Sequence, residues 1–524
     1  MPTLPIDFSL SFIAPLVLLL AAIPAFFNRG MRPASVPGLS EAGALVAFLL
    51  TIGGLAQVTI DAPSGLLVGQ GIYAIGLRAD LVAGTMAMLV GFIGWIVMRY
   101  SRTYLDGEPR EGLFHGLMLA TLAAVLVFAQ AASIGTLAIA TVLVGITLRQ
   151  LLLFYPDRPE AQRAATKFAI VWHVGDVMLI AAGGILAFAY GTTEIGELGM
   201  LARAQGIDLV TAGAIACIVI AAGLKTAAFP VHGWLTEVME APTPVSALLH
   251  AGIINSGGVL LIANADLVQS SSGAMAALVM LGGFTALFGA AVMLTQSAVK
   301  TALAWSTVAQ MGFMLLQCGL GLWTLALLHI VAHSLYKAHA FLGSGGAVAD
   351  VANIRRPGPV APADFGAVIK SFGLAILLYV GIAGLFTATF GPKSAQALAL
   401  GTILIFGVAY LVAQGLADRA PMELTKRTAV ASLATAIAYF AFHVLSETAW
   451  GAMLPDAPVP GDLEWALIVV AVTSFGVVAF AQALFPQWAH HPSTAGLRVH
   501  LANGLYMNAL LDRAIGGFRI TRSN

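Results

Sequence analysis

The chain has 524 residues and a mass of 54.2 kDa, yet 59% of its residues are hydrophobic, only 10% are charged, and the mean hydropathy is +0.91. A soluble domain carries about 25% charged residues; with so few charges most of this chain must face lipid or other apolar helices, which excludes disordered, collagen-like, disulfide-rich and nucleic-acid-binding classes. Lysine plus arginine and aspartate plus glutamate both number 25, so no net field recruits an anionic polymer.

A membrane span needs about 20 apolar residues. In chain order, candidate spans fall at 9–27, 40–60, 79–100, 112–130, 132–154, 166–190, 208–230 and 243–264. They continue at 273–297, 299–320, 322–345, 368–391, 395–417, 425–446 and 462–485. The fold class predicted is an all-α polytopic membrane protein with about 15 transmembrane helices, within bounds of about 13 to 16. The 56 glycines suit closely packed membrane helices. Cys217 and Cys318 lie in apolar runs without metal-ligand spacing, so neither a metal nor a cofactor is expected in this chain.

Charge placement checks the threading. With alternating loops, one side holds Arg29, Arg32, Arg99, Arg102, Arg110, Arg158, Arg163, Lys167, Arg355, Arg356, Arg419, Lys426 and Arg427, joined by Arg498, Arg513, Arg519 and Arg522 of the tail. The other side holds Arg78, Arg203 and Lys393. The positive-inside rule makes the first side cytoplasmic, with the N-terminus outside and the C-terminus inside. The first span lacks a basic leader and a small-residue cleavage site, so it reads as a retained helix. The tail RVHLANGLYMNALLDRAIGGFRI has apolar residues at helical spacing between arginines. It reads as an interfacial helix or as a surface on which a partner docks.

Five cations remain inside the predicted spans: Arg149, Lys225, Lys300, Lys337 and Lys370. Arg149 and Lys370 sit near span ends and can snorkel. Lys225, Lys300 and Lys337 lie in apolar surroundings, where a lysine costs about 3 kcal/mol or more and needs an internal partner or a cavity. Around Lys225, Pro230, Pro242 and Pro244 predict interrupted helices, and such breaks mark ion pathways. His250 follows in the next apolar run. His329, His333 and Lys337 recur at i, i+4 and i+8 and line one helical face over about 12 Å; His339 falls elsewhere. His173 and Asp176 place a base and an acid in the sixth span, and Glu237 and Glu240 flank the break. Desolvation favours the neutral form of a buried lysine, which lets it release as well as take a proton, and histidine relays protons through either ring nitrogen. Packing histidines held by hydrogen bonds are the alternative reading, but one that leaves the lysines unexplained. The glycine-rich stretch at 343–350 reads as a helix-end turn rather than a nucleotide loop.

GLKTAAFPVHGWLTEVMEAPTPVSALLHAG, KTALAWSTVAQMGF and HIVAHSLYKAHAFL together resemble the antiporter-like membrane subunits of respiratory complex I and Mrp-type sodium/proton antiporters, over about residues 75–390. The resemblance implies an antiporter-like fold with inverted repeats and a broken helix near Lys225. It also implies a proton pathway of Lys225, His250, Lys300, His329, His333 and Lys337; Asp176 and Glu237 are the two acids placed to replace the family's fifth-helix carboxylate as the counter-charge of Lys225, and the sequence does not choose between them. The chain departs from the pattern at Val142, where that family has a fifth-helix glutamate, at Ala388, where it has an exit lysine, and at His173 and Glu237, which replace arginine and aspartate. These departures, with TLRQLLLFYPDRPEAQRAATKF and LRVHLANGLYMNALLDRAIG, resemble DabB, the small membrane subunit of two-component systems that accumulate inorganic carbon.

That resemblance implies an ion-conducting, non-enzymatic subunit of a bacterial cytoplasmic membrane, working with DabA, a large zinc protein similar to a β-type carbonic anhydrase. Protons, or sodium, would flow through this chain and make CO2 hydration by the partner one-way; zinc would belong to the partner alone. A subunit of a redox-driven dehydrogenase and an Mrp-type antiporter subunit are the competing readings. The expected organisation is N-terminal helices at 1–110, a translocating core at 111–390, C-terminal helices at 391–490 and a cytoplasmic tail at 491–524.

Overall fold

The computed structural model describes residues 8–346, 364–415, 422–488 and 491–515. Arg355, Arg356, Arg419, Arg519 and Arg522, residues 347–350 of the stretch 343–350 and the end of the tail lie outside the described residues.

Each predicted span contains helix among the described residues. A 3-10 turn, Leu10–Ile13, leads into α1 (Ala14–Phe27), followed by α2 (Val36–Ile60), α3 (Leu81–Tyr104), α4 (Glu111–Ala129), α5 (Ile134–Leu152) and α6 (Pro159–Tyr190). Next come α7 (Ile195–Gln205), α8 (Leu209–Lys225), α9 (Gly233–Thr236), α10 (Thr243–Ala251), α11 (Ser256–Ala263) and α12 (Ala265–Gln269). Helices α13 (Ser272–Met293), α14 (Val299–Gly319), α15 (Trp323–Gly343), α16 (Phe365–Phe390), α17 (Ala395–Gly415), α18 (Met422–Trp450) and α19 (Asp462–Ala483) complete the bundle. The tail forms α20 (Phe485–Trp488), α21 (Ala495–Ala502) and α22 (Met507–Ile515).

Among the described residues, 12 segments are long and apolar enough to cross a membrane, with α10 and α11 together forming one of them. Three predicted spans fall short of that measure for physical reasons. Helix α8 stops after 17 residues at the break. Only Ala395–Ala409 of α17 is counted, as a shorter apolar helix. Helix α14 spans 21 residues but carries Lys300, Thr307, Gln310 and Gln317. Leu16, Leu49, Ile146, Ile180, Leu377, Leu385 and Val469 are exposed on the bundle's outside, as a lipid-facing wall requires.

A β-hairpin and a short helix lie in predicted loops. Strands β1 (Ser64–Val68) and β2 (Ile75–Ala79) pair antiparallel with Ser64 opposite Ala79, so the chain is not purely helical. The connection turns through Gly69 and Gly71, both at positive φ, where a side chain would be strained. Helix α7 is a short amphipathic helix in a predicted loop.

Polar contacts tie the loops together at each end, and each joins segments predicted on the same side. At one end, β2 bridges Ala131, Ser133 bridges Glu194, Arg203 pairs with Asp266, and Trp450 Nε1 donates to Thr85 at 3.1 Å. At the other, Arg110 donates to the carbonyls of Leu153 and Phe154, Arg158 pairs with Glu240 at 3.2 Å, and Lys300 donates to Thr243. A miscounted helix would have crossed the two sets.

Between the ends, small residues set the packing. At Gly282, Gly289, Gly312 and Gly319, a Cβ would lie inside van der Waals distance of the facing helix, so α13 and α14 meet backbone to backbone.

Candidate functional site

Helix α8 ends at Lys225, ahead of Pro230. Its last carbonyls are met locally: Thr226 Oγ1 donates to Ala222 O at 2.8 Å, Ala228 N–H to Gly223 O at 3.0 Å and Trp234 Nε1 to Leu224 O at 3.2 Å. Ala227 turns the chain away in the left-handed region, at φ +53°. Pro242 and Pro244 do not interrupt a helix; they open α10, where proline's missing N–H costs nothing. The second interruption falls after His250, at Gly252 and the 3-10 turn Ile253–Asn255.

Lys225 is fully buried, and its Nζ lies 2.6 Å from Asp176 Oδ1 of α6. The Asp176 carboxylate also meets His173 Nδ1 at 2.8 Å. The face of Trp172 covers the ammonium at 4.1 Å, and Trp172 is itself fixed by its Nε1 donating to Thr141 O at 2.9 Å. The lysine also closes a helix C-terminus, whose partial negative charge favours a cation. A carboxylate, an aromatic face and a helix end therefore all compensate one buried charge. Asp176, not Glu237, is the counter-charge. Helix α5, with Val142 next to Thr141, contributes the carbonyl that orients the tryptophan rather than an acid.

Glu237 belongs to a second centre. Lys167, predicted as a loop cation, is fully buried near the start of α6, with Nζ 2.7 Å from Glu237 Oε2, 2.6 Å from Asp512 Oδ1 and 2.6 Å from Asn508 Oδ1. Asn508 also donates to Glu237. The amphipathic tail helix α22 is thus latched onto its own chain below the break. Gly233 admits Asn508, since any Cβ there would collide with its side chain. The sequence signals were the i, i+4 spacings Arg163–Lys167 and Asn508–Asp512.

The remaining predicted residues divide. His250 is buried, stacks on Phe341 with ring centroids 4.3 Å apart, and places Nδ1 3.1 Å from Thr307 Oγ1. Thr307 Oγ1 donates to Leu303 O at 3.0 Å, and buried Lys337 Nζ donates to the same carbonyl at 2.9 Å. Since the hydroxyl's proton is used, the consistent arrangement has His250 Nδ1 donating to Thr307, leaving Nε2 without a partner among the described residues. His329 and His333 stand 5.9 Å apart on the predicted face, and His329 Nδ1 meets Gln317 Oε1 at 2.7 Å.

Lys300 departs from its predicted mid-membrane position. It is the second residue of α14, half-buried, and donates to Thr243 Oγ1 at 3.1 Å beside Tyr104, at the same end as the tail. Between the Lys225 pair and the His250 segment lies a cavity of about 20 Å³ lined by Trp172, Thr141, Gly252 and Ser256 among others. That is room for about one water molecule. Buried Asn255 Oδ1 and Ser256 Oγ at this bend have no partner among the described residues.

Among the described residues, no group of three or more His, Cys, Asp or Glu side chains is placed to hold a metal ion.

Comparison with known proteins matches two family patterns: "NADH:quinone oxidoreductase/Mrp antiporter, TM" over residues 131–362 and "NADH-Ubiquinone oxidoreductase (complex I), chain 5 N-terminus" over residues 68–115. A chain of the Mrp complex from a Dietzia species superposes with a TM-score of 0.61 at 21% identity, over 98% of this chain and 60% of that one. A chain of the archaeal membrane-bound sulfane sulfur reductase does so at 0.58 and 17%, over 90% and 77%. The fold is that of an antiporter-like, multi-pass membrane subunit.

The probable inorganic carbon transporter subunit DabB2 of Halothiobacillus neapolitanus is 34% identical over 86% of this chain and 81% of its own length. The probable DabB of Hydrogenovibrio crunogenus is 42% identical over 53% and 54%. NADH-quinone oxidoreductase subunit L of Mycobacterium tuberculosis is 33% identical over 60% and 50%. The chain belongs to the DabB family of membrane transporter subunits.

Proposed function

We propose that this chain is the cation-conducting membrane subunit of a two-component complex that accumulates inorganic carbon, and that protons are the cation. The observation that carries the reading is the fully buried Lys225–Asp176 pair at the end of a broken helix, followed by protonatable groups at membrane depth. When the Lys225 ammonium releases its proton, the Asp176 carboxylate is left uncompensated in an apolar bundle and attracts the next one. The proton moves past the α10–α11 bend to His250, through the Thr307 hydroxyl to Lys337, and along His333 and His329. Lys300 and Glu237 lie at the tail end of this route.

The partner, on this reading, is a large zinc protein that hydrates CO2, and proton flow makes that hydration one-way. Zinc chemistry would reside wholly in the partner. The excess of arginine and lysine at the tail end supports a bacterial cytoplasmic membrane location with the N-terminus outside and the C-terminus inside.

Lys225→Ala is expected to abolish high-affinity inorganic carbon uptake while leaving the complex assembled, as read by isotope uptake and by co-purification. Normal uptake in that variant would remove Lys225 from the path. Mild-detergent purification with metal analysis tests the partner: a stoichiometric large zinc protein supports the two-component system. Iron–sulfur and flavin subunits would make the chain part of a redox pump instead.

A further inference from the structure

At the end of the bundle away from the tail, a polar cavity of about 220 Å³ lies where the α14–α15, α16–α17 and α18–α19 connections meet. Its walls carry Thr324, Lys393, His443, Glu447 and Asp456. Thr324 Oγ1 donates to Glu447 Oε1 at 2.6 Å, and His443 Nε2 lies 3.6 Å from that same oxygen. His443 is 4% exposed, and its Nδ1 has no hydrogen-bond partner among the described residues. A membrane helix does not keep a buried histidine beside a carboxylate for packing, because an apolar residue would fill the space at lower cost.

The cavity adjoins the protonatable face of α15 through one intermediate. His329 and Tyr439 line a second cavity, of about 410 Å³, between α14, α15, α17 and α18. The rings of Tyr439 and His443, one turn apart on α18, are 6.2 Å apart. His333, His329, Tyr439, His443 and Glu447 follow one another towards the bundle end opposite Lys167, and a proton passing from His329 to His443 needs water in this largely apolar groove, which opens to the side of the bundle.

We infer that His443 and Glu447, with Thr324 and Lys393, form the second mouth of the proton path, exchanging protons with the solution on the side opposite the tail. Glu447 is the exchanging acid: Thr324 holds one oxygen and its side chain is 42% exposed. His443 passes the proton between Glu447 and the interior, and Lys393 sets the charge of the opening. This rests on the proton-conducting reading proposed above.

The test uses the complete complex in proteoliposomes loaded with a pH-sensitive dye. Glu447→Gln and His443→Gln are each expected to slow proton flux at least tenfold, while Glu447→Asp keeps most of it. Flux within twofold of the unmodified complex in both Gln variants would overturn the mouth. Lys225→Ala separates the two levels: its loss of flux beside normal Glu447→Gln removes only the mouth, whereas normal flux in Lys225→Ala removes the conducting reading and the mouth with it. Should the α18 variants not assemble, Lys393→Cys lies in a loop. A membrane-impermeant maleimide is expected to reach it from the face opposite Arg498→Cys, an exposed position of the tail, and to block flux. Labelling from the same face, or labelling without block, would overturn the proposal.

Discussion

Two of the three fully buried lysines, Lys225 and Lys337, are held in opposite ways. Lys225 has a carboxylate at 2.6 Å, an aromatic face at 4.1 Å and a helix C-terminus around it. Lys337 is as deeply buried, but its hydrogen-bond partner is the carbonyl of Leu303 at 2.9 Å, and no carboxylate pairs with it among the described residues. A carbonyl and a carboxylate both accept a hydrogen bond from either protonation state, but the carboxylate's charge strongly favours the ammonium. The first arrangement keeps a charge in the membrane; the second tolerates its coming and going. A relay needs both, a site that holds a proton firmly and draws in the next one through its carboxylate, and a group that hands protons on.

The largest effect expected is from dividing the first pair. Asp176→Asn leaves Lys225 unpaired and should cost about 3–5 kcal/mol, seen as a large drop in the thermal midpoint of the purified complex, with uptake lost. The double variant Lys225→Met with Asp176→Leu sharpens the point, because replacing both charges by apolar groups should restore stability but not uptake. If the double variant is no more stable than Asp176→Asn, the pair is not the source of the cost.

Lys337→Met should behave differently. With no counter-charge to strand, it should change stability by about 1 kcal/mol or less, while reducing proton flux in proteoliposomes by at least tenfold. A loss of stability as large as that of Asp176→Asn would erase the distinction between the two lysines. Thr307→Val breaks the hydroxyl link between His250 and the shared carbonyl; it should cost about 1 kcal/mol and slow flux severalfold, with full flux excluding that link.

The smallest effect is at the turn that ends α8. Ala227→Gly removes a left-handed alanine and should leave stability unchanged or raised by about 1 kcal/mol, with uptake intact. A destabilised variant would mean that the alanine methyl, buried at this turn, matters more than its backbone strain.

The tail shows where a sequence reading stops. Its helical periodicity was legible, since α22 keeps its apolar and polar residues on separate faces. What it covers was not. The contacts of Asn508 and Asp512 are to Lys167, 341 residues away in the case of Asn508, and a lysine at a span boundary looks like any snorkelling cation until a partner arrives. Lys300 erred the other way: an apolar run on both sides placed it in the membrane, but α14 begins one residue before it.

The sequence by itself determined what short-range chemistry controls. Runs of apolar residues set the helices, arginine and lysine set the alternation of loops, and the lysine–proline segment set the break. The face shared by His329, His333 and Lys337 followed from helical periodicity alone. Only the tertiary structure decided which side chains meet across helices. Asp176 reaches Lys225 from 49 residues away, Glu237 is taken by Lys167, and Thr324 finds Glu447 from 123 residues away. In a bundle whose helices are all apolar, hydrophobicity does not specify neighbours; close glycine packing and a few buried polar pairs do, and their partners lie far apart in the chain.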